Sequence, residues 1–120
     1  MKIKCIMSGL NYPTYNGKFY SEECLKKAFE KIEDNLPIVL ECGKIIGFGK
    51  AELKYPEIHV EGETVPVGEQ LIPALVGSGG IVINGLGKTN TDGVVTDYTI
   101  RSLLATAHPA ISCSIEIVSE

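Results

Sequence analysis

GSGGIVINGLGKTNTDGVVTDYTIR, residues 77–101, is the stretch from which the fold is read. Two glycine clusters bracket an apolar run, Ile81, Val82 and Ile83, and a polar turn of Asn90, Thr91, Asp92 and Gly93 leads into a second β-branched run. Glycines flanking β-branched residues indicate a strand hairpin whose backbone bends sharply or is closely approached by a neighbour. Gly87-Lys88-Thr89 ends as a phosphate-binding loop does, but that motif requires a glycine five residues before Gly87, where Val82 stands. Thr89 leads into turn residues, so no helix N-terminus is offered to an anion. The dinucleotide fingerprint fails too, with Asn90 where its last glycine belongs.

The flanking segments read mostly as strands. Residues 2–7 alternate Lys2, Ile3, Lys4 and Cys5, a strand with one buried face. Residues 8–20 form a loop containing Tyr12, Tyr15, Phe19 and Tyr20, which resembles an interface because tyrosines give large contact area at little entropic cost, a plain loop packed on the domain being the equal alternative. Ser21 is an N-cap followed by Glu22 and Glu23, and Leu25, Ala28, Phe29 and Ile32 make one apolar stripe on a helix of about three turns. Pro37 stops it, residues 38–42 form a buried strand, and Gly43 breaks that strand. Residues 44–54 are strand-like, with Gly47 and Gly49 on one face, as a bulge or a close neighbour requires.

Residues 57–61 alternate, and 63–67 continue the strand after a turn at Gly62. Leu71, Ile72, Leu75 and Val76 have helical spacing, which Pro73 limits to a short or kinked helix. Residues 96–107 form one long strand or two shorter ones ended by His108-Pro109, and Ile111, Cys113, Ile115 and Ile117 alternate in a final strand. The expectation is an α+β, mainly β domain spanning residues 1–120. Its core is a barrel-like or strongly curved antiparallel sheet of about seven strands with two packed helices.

A chain of 120 residues buries roughly two thirds of its unfolded surface, enough for one core. A net charge of -4 and the absence of basic runs argue against a nucleic-acid partner. No signal peptide or membrane-length apolar run is present, so a cytoplasmic site of synthesis is expected. Cys5, Cys24, Cys42 and Cys113 form no CxxC pair, which sets aside a zinc site and a redox motif. They are read as reduced core residues.

Taken in order, several segments resemble the phage prohead protease family, distant relatives of the herpesvirus assembly protease. Asn16-Gly17-Lys18-Phe19-Tyr20 before the Ser21 helix resembles the family's opening Asn-x-x-Gly-x-x-Tyr-Pro, compressed by one residue and without the proline. Residues 37–42, Pro-Ile-Val-Leu-Glu-Cys, resemble its Pro-Val-x-x-x-His strand, and 46–51 its Ile-Gly-x-Val strand. Residues 80–87 resemble Val-Gly-Val-Ser-Ser-Arg-Gly-x-Gly, residues 93–98 resemble Gly-x-Val-x-Asp-Tyr, and 107–110 the closing Asp-Pro-Ser. The likeness covers residues 8–110.

The departures fall where the family's chemistry lies. Its catalytic histidine matches Cys42 or a neighbour, its serine matches Val82 or Ile83, and the arginine after the serine becomes Asn84. None of these side chains can supply the hydroxyl nucleophile and imidazole base of that reaction. A replacement triad would draw on His59 or His108 with Ser78, Ser112, Ser114 or Cys113. Ser112 and Cys113 are too near His108 in the chain to suggest a cleft, and His59, between Ile58 and Val60, belongs to the outer face of its strand. Glu61, Glu63 and Glu69 are read as a solvated rim, an acidic patch being the alternative.

No catalytic, cofactor-binding or metal residue is therefore assigned. The resemblance implies a catalytically silent relative with a structural role in a phage virion, as a minor capsid, decoration or head-assembly protein. Its partners would be major capsid or other head proteins and further copies of itself, with assembly in the host cytoplasm and no nucleic acid or membrane involved. An active maturation serine protease cleaving scaffold or capsid protein, and an unrelated small β-barrel binding module, are the alternatives.

Overall fold

A computed structural model describes residues 1–7, 19–55, 57–76, 79–106 and 113–118, excepting the side chains of Cys113 and Ser114. In chain order the elements are β1 Lys2–Met7, β2 Phe19–Tyr20, α1 Glu22–Glu30, β3 Leu36–Leu40 and β4 Ile45–Lys54. There follow β5 Glu57–Thr64, α2 Pro66–Leu75, β6 Gly80–Thr89, β7 Val94–Thr106 and β8 Cys113–Val118. The architecture is α+β and mainly strand, with eight strands in a single sheet among the described residues. The strand beyond the expected number is the two-residue β2.

β7 organises the sheet. β6 pairs antiparallel along nearly its whole length, while β2 beside its first residues and β3 beside its last share the other edge. From β3 the order continues through β4, β5 and β1 to β8. The sheet is mixed, not antiparallel as expected, because β2 and β3 both run parallel to β7. Three strands and a helix separate β3 from β7, and that length of chain permits a return in the same direction. The sheet curls until β6, at one end, lies beside β1 and β8 at the other. No ladder joins those ends among the described residues, and the sheet is not closed.

Alternation supplies the core. Ile3, Cys5 and Met7 of β1 are buried, as are Ile58 and Val60 of β5, Ile81 and Ile83 of β6, and Ile115 of β8. Leu25 and Ala28 of α1 and Ile72 of α2 join the same cluster with Leu36, Ile38 and Ile46. Each buried Ile or Leu contributes about 1.5–3 kcal/mol relative to exposure.

The Ser21 hydroxyl accepts from the Cys24 amide at 3.1 Å, capping α1 as its sequence indicates. α2 starts earlier than the spacing of Leu71 to Val76 suggested, because Pro66 occupies its first turn, where a missing N–H costs nothing. β5 runs unbroken through Gly62, where a turn was expected, since Gly62 pairs with both Ile3 and Gly49. A side chain at Gly47 or Gly49 would strike the β5 backbone, which is the close neighbour that their shared face implied.

Cys5 is disulfide-bonded, which corrects the expectation of four reduced cysteines, whereas Cys24 and Cys42 are free. Spacing along a chain does not reveal which thiols a sheet brings together.

Candidate functional site

The turn that joins β6 to β7 is built by Asn90. Its side-chain oxygen accepts from the amides of Asp92 at 2.9 Å and Val94 at 3.0 Å, and Gly93 takes the left-handed φ of 84° that closes the turn. Thr89 ends β6 instead of opening a helix. Arg101 and Thr96 are skipped by the ladder, so β7 carries two bulges that deepen its twist. A Cβ at Gly85 would strike the Thr99 carbonyl, and one at Gly87 would strike the Asp97 carbonyl and the Tyr98 ring. The glycines that imitate a phosphate loop therefore let β7 approach and make room for Tyr98.

Tyr98 meets Tyr20 edge-on, with ring centroids 5.3 Å apart, and the two hydroxyls are hydrogen-bonded. Burial, and then the Tyr20 hydroxyl, hold the Tyr98 phenol above the usual tyrosine range. Burial and then the Asp97 carboxylate push the Cys24 thiol up, with Lys27 acting weakly against them. Both groups stay protonated at neutral pH, so this cluster clamps β2 and α1 to the hairpin and supplies no nucleophile.

The positions matched to a protease do not converge. Leu40 of β3, Ala105 of β7 and Ile81 of β6 lie in one row across the sheet. Cys42 stands two residues beyond that row in an exposed turn, while Val82 and Ile83 lie on the other side of it. Cys42 belongs to the turn that follows β3, and β7 stands between β3 and β6, so at about 4.8 Å between strands Cys42 and Val82 are about 10 Å apart across the sheet. Hydrogen-bond reach is about 3 Å. The polar groups nearby are occupied: the Thr106 hydroxyl donates to Glu41 Oε1 at 2.9 Å, and Asn84 Nδ2 donates to Ser102 Oγ at 3.1 Å.

His59 occupies the outer face of β5, as its alternation indicates. It is half-buried, its Nε2 3.3 Å from Glu57 Oε1, and it stands across from Glu52 and Ile6. His108, Ser78 and Ser112 lie outside the described residues, as does most of the tyrosine-bearing loop. Ser114 and Cys113 pair through their backbones with Ile6 and Met7. Among the described residues no group of three His, Cys, Asp or Glu side chains is arranged to hold a metal, and no helix is long and apolar enough to cross a membrane.

The outer face of β4, β5, β1 and β8 carries a feature that single-strand alternation concealed. Lys50, Glu61, Lys4 and Glu116 form one row across four strands, alternating in sign, and Phe48, Glu63, Lys2 and Val118 form the next. Glu61 thus stands between two lysines and Glu63 between Lys2 and Phe48, so they make no acidic patch, while Glu69 bonds the amino terminus at 3.1 Å. The curl of these strands leaves a groove of about 760 Å³ floored by the charged rows, with exposed Phe48 and Val118 on its walls. The alternating charges of β1, β4 and β5 were visible in the sequence, but only their register aligns them.

Compared with protein-family models, with curated proteins and with solved structures, the chain matches none.

Proposed function

We propose that this chain is a catalytically silent protein of the prohead-protease type, barrel-like in its curvature, with a structural role in a phage virion as a minor capsid, decoration or head-assembly protein. What carries the reading is the chemistry at the matched positions: an exposed free thiol at Cys42 and aliphatic side chains at Val82 and Ile83. Three further groups, Cys24, Tyr20 and Tyr98, form a buried or half-buried clamp and not an open catalytic cleft. Such a protein acts through its surfaces, binding capsid or other head proteins and further copies of itself.

Mass spectrometry of purified virions tests the reading. Full-length chain, uncleaved and in many copies, is the expected result, whereas absence from mature particles would overturn the capsid and decoration roles and point to a transient assembly factor. A serine-directed covalent probe gives the second arm: stoichiometric labelling lost on His108→Ala would establish an active protease instead. The separation of Cys42 from Val82 favours a second reading, an unrelated small β module that binds a protein partner and shares only local motifs with the family. A solved relative with a different strand order and no phage context would decide for it.

A further inference from the structure

Beyond Asn84, β6 has one edge that no strand of the described residues covers. Among the described residues it pairs with β7 alone, and residues 84–89 are exposed or half-exposed. Leu86, at 64% exposure, is the most exposed large apolar side chain of the described residues, and it shares its face with Asn84 and Lys88. Edge strands are commonly protected by several charges, proline or a covering element. Here the stretch from Asn84 to Thr89 holds one charge, Lys88, and no proline.

The order of side chains along this edge is close to palindromic: Asn84, Gly85, Leu86, Gly87, Lys88. We propose that the β6 edges of two copies pair antiparallel about a two-fold axis at Leu86, joining two sheets into one. In that register Leu86 faces the partner's Leu86, Gly85 faces the partner's Gly87, and Asn84 faces the partner's Lys88. The glycines let the two backbones approach, and each lysine opposes an amide. An axis at Lys88 would instead set two ammonium groups opposite each other, and a shift of one residue would place Leu86 against glycine. Charge and shape therefore select a single register. The contact is smaller than the about 1,200 Å² at which stable interfaces begin, so pairing is weak and fills at high local concentration, as on a shell of many copies.

The proposal deepens the self-association in the reading above and rests on it for its biological setting, but it is tested on the isolated chain. Its failure thus leaves the virion experiment standing. Sedimentation over concentrations up to about 1 mM, where about half of a weak pair forms, is expected to show a reversible dimer. Leu86→Lys sets charges face to face and is expected to weaken the dimer at least tenfold with an unchanged circular dichroism spectrum. Register is read by cross-linking in a Cys42→Ser background. Leu86→Cys places facing Cα atoms about 4.5–5.5 Å apart, within disulfide reach, and is expected to oxidise to a dimer. Lys88→Cys in the same background faces Asn84 and is expected not to. A monomer at every concentration, a dimer indifferent to Leu86→Lys, or equal cross-linking from both sites would overturn the proposal.

Discussion

Gly85 and Gly43 show how the same residue type serves different needs. At Gly85 a single methyl would be driven into the Thr99 carbonyl, whereas Gly43 has open space around it and needs only its left-handed φ of 91°. Gly85→Ala is therefore expected to destabilise the chain by about 2–3 kcal/mol through overpacking against backbone, and Gly43→Ala by about 1 kcal/mol through strain alone. Urea unfolding of the two variants checks the order. Tyr98 makes a second prediction at this scale. Its folded pKa lies above the unfolded value of 10.0, so as pH rises the unfolded chain loses this proton first. The contribution is complete below pH 10 and declines above it. Urea midpoints should fall less steeply between pH 9 and 11 in Tyr98→Phe than in the unaltered chain.

Elements are decided by caps, turns and stripes. Ser21 closes the first turn of α1 through the Cys24 amide, and Ser21→Ala is expected to cost about 1 kcal/mol. Leu25, one turn further on, is wholly buried between α1 and the sheet, and Leu25→Ala is expected to cost about 2–5 kcal/mol, the spread reflecting how far the cavity collapses. Chemical denaturation of both variants separates a helix-end effect from a core effect by size, since only Leu25→Ala removes buried apolar surface and leaves a cavity. The hairpin is as local as the helix: Asn90 and Gly93 shape the turn, and the bulges at Thr96 and Arg101 bend β7 around it.

At the scale of the whole molecule, the sheet sets which side chains meet. Three cysteines differ in state for that reason: Cys5 is disulfide-bonded, Cys24 is a buried free thiol with a raised pKa, and Cys42 is exposed. Alkylation of the native chain is expected to modify Cys42 and leave Cys24 untouched until denaturant is added, and to leave Cys5 untouched until a reductant is present. Peptide mapping reads each step. Rapid native labelling of Cys24 would mean that the clamp of α1 on the hairpin opens freely.

The sequence by itself determined whatever depends on neighbours a few residues away. The capped helix α1, the turn at Asn90 to Gly93, the strand alternation of β1, and the unsuitability of Val82 and Ile83 for catalysis are all of this kind, whereas the alternation of β8 buries Ile115 but leaves Ile117 exposed. Side-chain period, capping and turn chemistry act locally, so their signals survive in a linear string. Only the tertiary structure decided the parallel placement of β3 against β7, the unclosed curl of the sheet and the Cys5 disulfide. It alone aligned Lys50, Glu61, Lys4 and Glu116 into one row and set Cys42 apart from Val82. Each of these rests on strand pairing between residues distant in sequence, and the energy of such a pairing is spread over a whole ladder instead of residing in any one motif.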